Sequence, residues 1–132
     1  MSCTTIPNHF ALFVSITALA TLLAPANALA GDAEAGKTTY TASCVSCHGE
    51  TGKGDGPVGQ VLPPPKPRDF AVGDFKFDTD EDGTSGSDAD LKAVIAKGAG
   101  AFGGNQMMAA WSGLLSDEDI DNVVAYIRTL KK

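Results

Sequence analysis

The sequence predicts a small all-α domain, three main helices joined by one long Gly/Pro-rich loop. Three observations carry that prediction. Segments near residues 33–43, 89–97 and 117–130 show helix caps or shared-face spacing of i, i+3 and i+4. Residues 49–86 hold eight glycines and five prolines, which punctuate chains rather than build elements. No stretch shows the strict apolar/polar alternation of a half-buried strand. The 132 residues are 43% hydrophobic and 20% charged, which excludes a disordered chain and suits one domain.

Residues 1–31 precede that domain and contain no Lys, Arg, Asp or Glu. Phe10 to Ala24 is apolar apart from Ser15, Thr17 and Thr21, and Pro25 ends the run. Fifteen helical residues span only ~22 Å, short of a ~30 Å hydrocarbon core. Ala28-Leu29-Ala30 has the small-x-small form of a signal-peptidase site. Residues 1–30 are therefore expected to be a cleaved signal peptide, and residues 31–132 the working domain. Export would place that domain in the periplasm, with no stable membrane insertion after cleavage.

The first helix is expected from Ala33 to about Ser43, with Asp32 as its N-cap. Gly36 and Tyr40 lie four apart on one face. Glycine inside a helix costs ~1 kcal/mol, so Gly36 points to close approach by another backbone. The helix leads into Cys44-Val45-Ser46-Cys47-His48. Cys3 and His9 lie in the leading segment, so the domain keeps two cysteines and one histidine, all in this run.

C-x-x-C-H is the spacing of a c-type haem attachment site. Two thiols three positions apart reach the two vinyl groups of one porphyrin. The next residue lies under the ring, where an imidazole supplies the proximal iron ligand. Three other readings fit less well. A structural zinc site needs four ligands. A thioredoxin-type dithiol needs a strand before the motif and a helix after it, whereas here a helical pattern precedes it and Gly49, Gly52, Gly54 and Gly56 follow. A plain disulfide leaves the adjacent histidine unexplained.

The long loop follows. Pro63-Pro64-Pro65 and Pro67 exclude regular helix there. So long a loop inside a compact domain argues against its own assignment, unless it wraps a large flat cofactor that supplies the missing core. Residues 31–132 alone bury little apolar area, and the domain without haem is expected to fold poorly. Ser87 or Asp88 then caps a second helix, Ala89 to Lys97, with Leu91, Val94 and Ile95 on one face and Gly98 as its stop. Ser116 caps the last helix, with Asp119 in a capping-box position. Ile120, Val123, Val124, Ile127 and Leu130 form its apolar stripe. Asp117, Glu118 and Asp119 at its start and Arg128, Lys131 and Lys132 at its end complement the helix dipole.

Between those two helices lie Met107 and Met108. With no second histidine in the domain, either thioether is a candidate for the other axial position on iron, and a Met/His pair raises the potential relative to His/His.

The stretches GKTTYTASCVSCHG (36–49), GKGDGP (52–57), PKPRDF (65–70) and MMAAWSGLLSDEDIDNVVAYIRTL (107–130) resemble the mono-haem class I c-type cytochromes of bacteria, in the same order. The resemblance implies the cytochrome c fold around one haem c. It implies that Cys44 and Cys47 attach the haem and that His48 ligates iron. It aligns Met108 with the family's second ligand, because Trp111 lies three residues on. Ala109 stands where the family has proline, which keeps Met107 open as the alternative. It further implies that Gly36 and Tyr40 cross the last helix near Tyr126, and that Pro57 offers its carbonyl to the free N–H of His48. Arg68 and Trp111 would lie near the haem propionates.

Three weaker signals remain. Asp78 to Gly83 fits the opening of a calcium loop, but its twelfth position is Ala89 where a bidentate Glu belongs, so a solvated acidic loop is the preferred reading. Phe70, Phe75 and Phe77 suit either a haem cover or ordinary core. Lys66 and Arg68 are too few for a basic docking patch. The 16 acidic and 10 basic residues give a formal charge of −6, which excludes nucleic acid and anionic membrane surfaces as partners.

The function expected is that of a periplasmic electron carrier and not an enzyme, meeting unnamed redox partner proteins through small, short-lived contacts. The alternatives are a dedicated haem subunit of an exported dehydrogenase or reductase complex, and a haem peroxidase or sensor with an open iron position.

Overall fold

The computed structural model describes Met1 and residues 31–132; the expected signal and its cleavage site lie outside the described residues. The described residues form five α-helices and no strand, with a 3-10 turn at Ala99–Phe102. The helices are α1 (Ala33–Ser43), α2 (Val45–His48), α3 (Pro57–Val61), α4 (Asp88–Lys97) and α5 (Asp117–Leu130). The three main helices thus stand where the spacing predicts them. The two short ones, α2 and α3, were not predicted as separate elements. Each is about one turn, too short for apolar periodicity to register, and α3 begins on Pro57, a residue suited to the first helical position.

Capping residues set the ends of the main helices. Asp32 accepts from the Glu34 and Ala35 amides at 2.9 and 3.3 Å. Ser87 with Asp90, and Ser116 with Asp119, each close a reciprocal capping box. Gly98 ends α4 at φ 81°, a conformation that glycine adopts without steric cost.

The core is the crossing of α1 and α5. Tyr40, Ile120, Val123, Val124 and Ile127 are buried there, joined by Leu91 and Ile95 of α4 and by Phe70. Gly36 makes the crossing close: a Cβ on it would overlap the Asn122 carbonyl oxygen. The expected backbone approach at Gly36 is therefore met. The Tyr40 and Tyr126 rings lie 5.1 Å apart, as the resemblance implies. Tyr40 Oη donates to the Gly49 carbonyl at 2.7 Å, which ties this core to the chain just after the cysteine motif.

Candidate haem site

Cys44 closes α1, its amide donating to the Tyr40 carbonyl at 2.8 Å. It also opens α2: the amides of Cys47 and His48 both donate to the Cys44 carbonyl, at 3.2 and 2.9 Å. One helical turn therefore sets Cys44, Cys47 and His48 at i, i+3 and i+4, on one side of the chain. Both thiols are free and half-buried. Burial, then the neighbouring Cys47, pushes the Cys44 thiol up to about 11.

His48 is 8% exposed, and its ring stacks on Phe70 at 4.5 Å and 16°. Burial lowers its pKa, with a smaller opposing contribution from the Arg68 backbone, so the imidazole is neutral, the form that binds a metal. Its Nδ1 is buried with no partner inside hydrogen-bonding geometry among the described residues. The expected bond from His48 to the Pro57 carbonyl is not formed. Pro57 begins α3 and lines a separate groove with Val45, Ser46 and Asp55. The physical reason is the tight packing of the turn behind the motif. Gly56 and Gly59 lie directly on the Ser46 and Cys47 backbone, which carries α3 behind the cysteines. The nearby backbone acceptor is Arg68 instead.

The methionine pair sits on a loop pinned to the end of α4. The Ala99 amide donates to the Met108 carbonyl at 3.3 Å, and the Trp111 amide to the Ile95 carbonyl at 3.1 Å. Met108 is half-buried and packs on the core cluster, whereas Met107 is 65% exposed. Cys44, Cys47, His48, Met107 and Met108 all border one cavity with largely apolar walls. Arg68 and Trp111 border it too, as do Phe70, Phe75 and Phe77. The two readings of the phenylalanines are thus not exclusive, since Phe70 is core and cavity wall at once. Two thiols, a neutral buried imidazole with an orphaned ring nitrogen and a soft thioether sulfur around an apolar cavity fit a covalently held haem.

Two residues of this region were not singled out as functional from the sequence. Asn105 Nδ2 donates to the carbonyls of Pro63 and Pro65 at 2.8 and 3.0 Å, and its Oδ1 accepts from the Met107 amide at 2.9 Å. It joins the proline-rich loop to the methionine loop. Its partners are carbonyls some forty residues away, which no local pattern announces. Asp90 borders the cavity while 1% exposed. Its capping-box spacing was readable, but its burial was not.

The acidic loop gathers its carboxylates at the surface. The carboxylates of Asp78, Asp80 and Asp82 come within 4.8 Å of one another, and Asp78 accepts from the amides of Asp82 and Gly83 at 3.1 and 2.9 Å.

Comparison with known proteins identifies the family. The family model described as "Cytochrome c" matches residues 33–131. The chain is 36% identical over 104 residues to cytochrome c-554(547) of Halothiobacillus neapolitanus, covering 77% of this chain and all of that one. It is 34% identical over 116 residues to cytochrome c6 of Rippkaea orientalis, covering 88% of this chain and 86% of that one. Among solved structures it resembles a chain of the Kuenenia stuttgartiensis reducing HAO-like protein complex Kustc0457/Kustc0458. The TM-score is 0.63 at 34% identity, over 76% of this chain and 43% of that one. The chain belongs to the cytochrome c family: it is a mono-haem class I c-type cytochrome, an electron-transfer protein with one covalently bound haem c and its iron.

Proposed function

We propose that Cys44 and Cys47 form the two thioether links, that His48 is the proximal iron ligand and that Met108 is the second. The observation that carries this reading is the convergence of all four on one apolar cavity. Met108 is preferred to Met107 because its side chain is packed into the core cluster, while Met107 lies mostly in solvent. Haem iron in this site supplies the exchange of single electrons. The chain's own residues do the rest. The α2 turn positions His48, burial keeps its imidazole neutral, Phe70 supports the ring, and the apolar walls keep water from the cavity.

The protein is read as an exported carrier in the periplasm, addressed there by residues 1–30 and making no bond in a substrate. Among the described residues no helix is long and apolar enough to cross a membrane. A second reading, a haem subunit of a larger redox assembly, draws on the similarity to a chain of a multi-protein complex.

The test is expression with haem-maturation machinery, followed by mass, ferrous and ferric spectra, and a redox titration. A mass increment of one haem and a low-spin ferric spectrum with a near-infrared methionine–iron band are expected. A high-spin five-coordinate spectrum would point to an open iron and defeat the carrier reading. Purification from the native host separates the two assemblies: a free monomer supports the carrier, and a stoichiometric catalytic chain supports the subunit.

A further inference from the structure

Asp90 is the third residue of α4 and is 1% exposed, in the wall of the cavity that holds the cysteines, His48 and Met108. Buried carboxylates are rare unless paired, yet no Lys, Arg or His donates to it among the described residues. Its donors are all neutral. Oδ1 accepts from the Thr79 amide and from Thr79 Oγ1 at 2.5 and 2.8 Å. Oδ2 accepts from the Ser87 amide and from Ser87 Oγ, both at 2.8 Å.

This arrangement selects the anion. Two of the donors are backbone N–H groups, which cannot turn to accept. Ser87 Oγ already accepts from the Asp90 amide at 3.1 Å, which leaves its own proton for the carboxylate. With both oxygens doubly occupied, no lone pair remains for a proton. The Thr79 amide first, with the other three donors, holds the carboxyl well below the usual range against the opposing push of burial. Arg128 of α5 reaches this loop but is engaged elsewhere, donating to Asp88 at 2.7 Å and to the Gly86 carbonyl at 2.6 Å.

We propose that Asp90 is a fixed buried negative charge in the haem cavity wall, and that it lowers the reduction potential by favouring ferric over ferrous iron. Loss of an electron adds positive charge at iron. An anion behind apolar walls stabilises that charge more than a solvated one does. The same carboxylate ties residues 79–87 to α4, so it has a structural role as well, and the test must separate the two. The proposal rests on haem occupying this cavity.

The experiment is spectroelectrochemical titration of purified holoprotein, with thermal melts alongside. Asp90→Asn removes the charge at constant shape. It is expected to raise the midpoint by about the equivalent of a tenfold change in the ferric/ferrous ratio, ~59 mV for one electron. Thr79→Val removes one donor and keeps the charge; it is expected to lower the melting temperature while leaving the ferric/ferrous ratio at a fixed applied potential within about threefold of wild type. Should Asp90→Asn not accumulate, Asp90→Ser removes the charge while leaving a small acceptor, and carries the same expectation. An unchanged or lowered potential in the neutral variant overturns the proposal, as does an equal rise in Thr79→Val. A Met108→Ala spectrum identical to wild type would instead undo the site reading itself. An altered Met108→Ala spectrum beside an unmoved Asp90→Asn potential sinks only the role of Asp90.

Discussion

The two segments that bring iron-ligand candidates to the cavity are built differently. Cys44 to His48 continues α1, and α1 is locked against α5 by the backbone contact at Gly36 and by buried Tyr40. Met107 and Met108 ride on a loop held by backbone hydrogen bonds to the end of α4 and by the Asn105 side chain. The first segment inherits the rigidity of the hydrophobic core. The second depends on a few polar contacts, each worth only ~0.5–1.5 kcal/mol net. Ligand exchange at iron is therefore expected on the methionine side, where local opening is least costly.

The largest effect that would sharpen this contrast belongs to the rigid side. His48→Ala should abolish a normal low-spin product, leaving failed maturation or a misligated haem. Recovery of a wild-type spectrum from purified variant would break the comparison at its root.

Next is the crossing itself. In Gly36→Ala the new Cβ must displace the Asn122 backbone, and overpacking of this kind costs about 1–3 kcal/mol. Denaturant unfolding of the holoprotein should show that loss, and a neutral result would mean that the helices slide apart without strain.

On the methionine side, Met108→Ala should lower the potential and open the iron to added imidazole or cyanide, while Met107→Ala should do neither. Reversal of the pair in ligand-binding titrations would reassign the ligand.

The smallest effect is expected from Asn105→Ala. Losing the bonds to Pro63, Pro65 and Met107 should cost about 1 kcal/mol, and imidazole should displace methionine severalfold more readily at an almost unchanged potential. If imidazole affinity stays at the wild-type value, the asparagine does not restrain the methionine loop.

Much of this architecture is legible in the sequence. Asp32, Ser87 and Ser116 mark helix starts because a short polar side chain satisfies free amides locally. The stripe from Ile120 to Ile127 reports its own burial through a period of 3.6. Cys44, Cys47 and His48 announce their chemistry because the attachment reaction demands that spacing. The Pro57 expectation failed for a different kind of reason. Which carbonyl lies beside His48 depends on how the glycine-rich turn packs behind Cys47, a matter of three dimensions.

Local grammar thus determined the helices, the cysteine motif, the methionine pair and the family, since each is a relation among residues close along the chain. Tertiary structure alone decided that Met108 is packed and Met107 exposed, that Asn105 joins two distant loops, and that Asp90 is buried with no counter-cation among the described residues. Burial and long-range hydrogen bonding are set by what the rest of the chain brings near, and nothing in the spacing of neighbours encodes them.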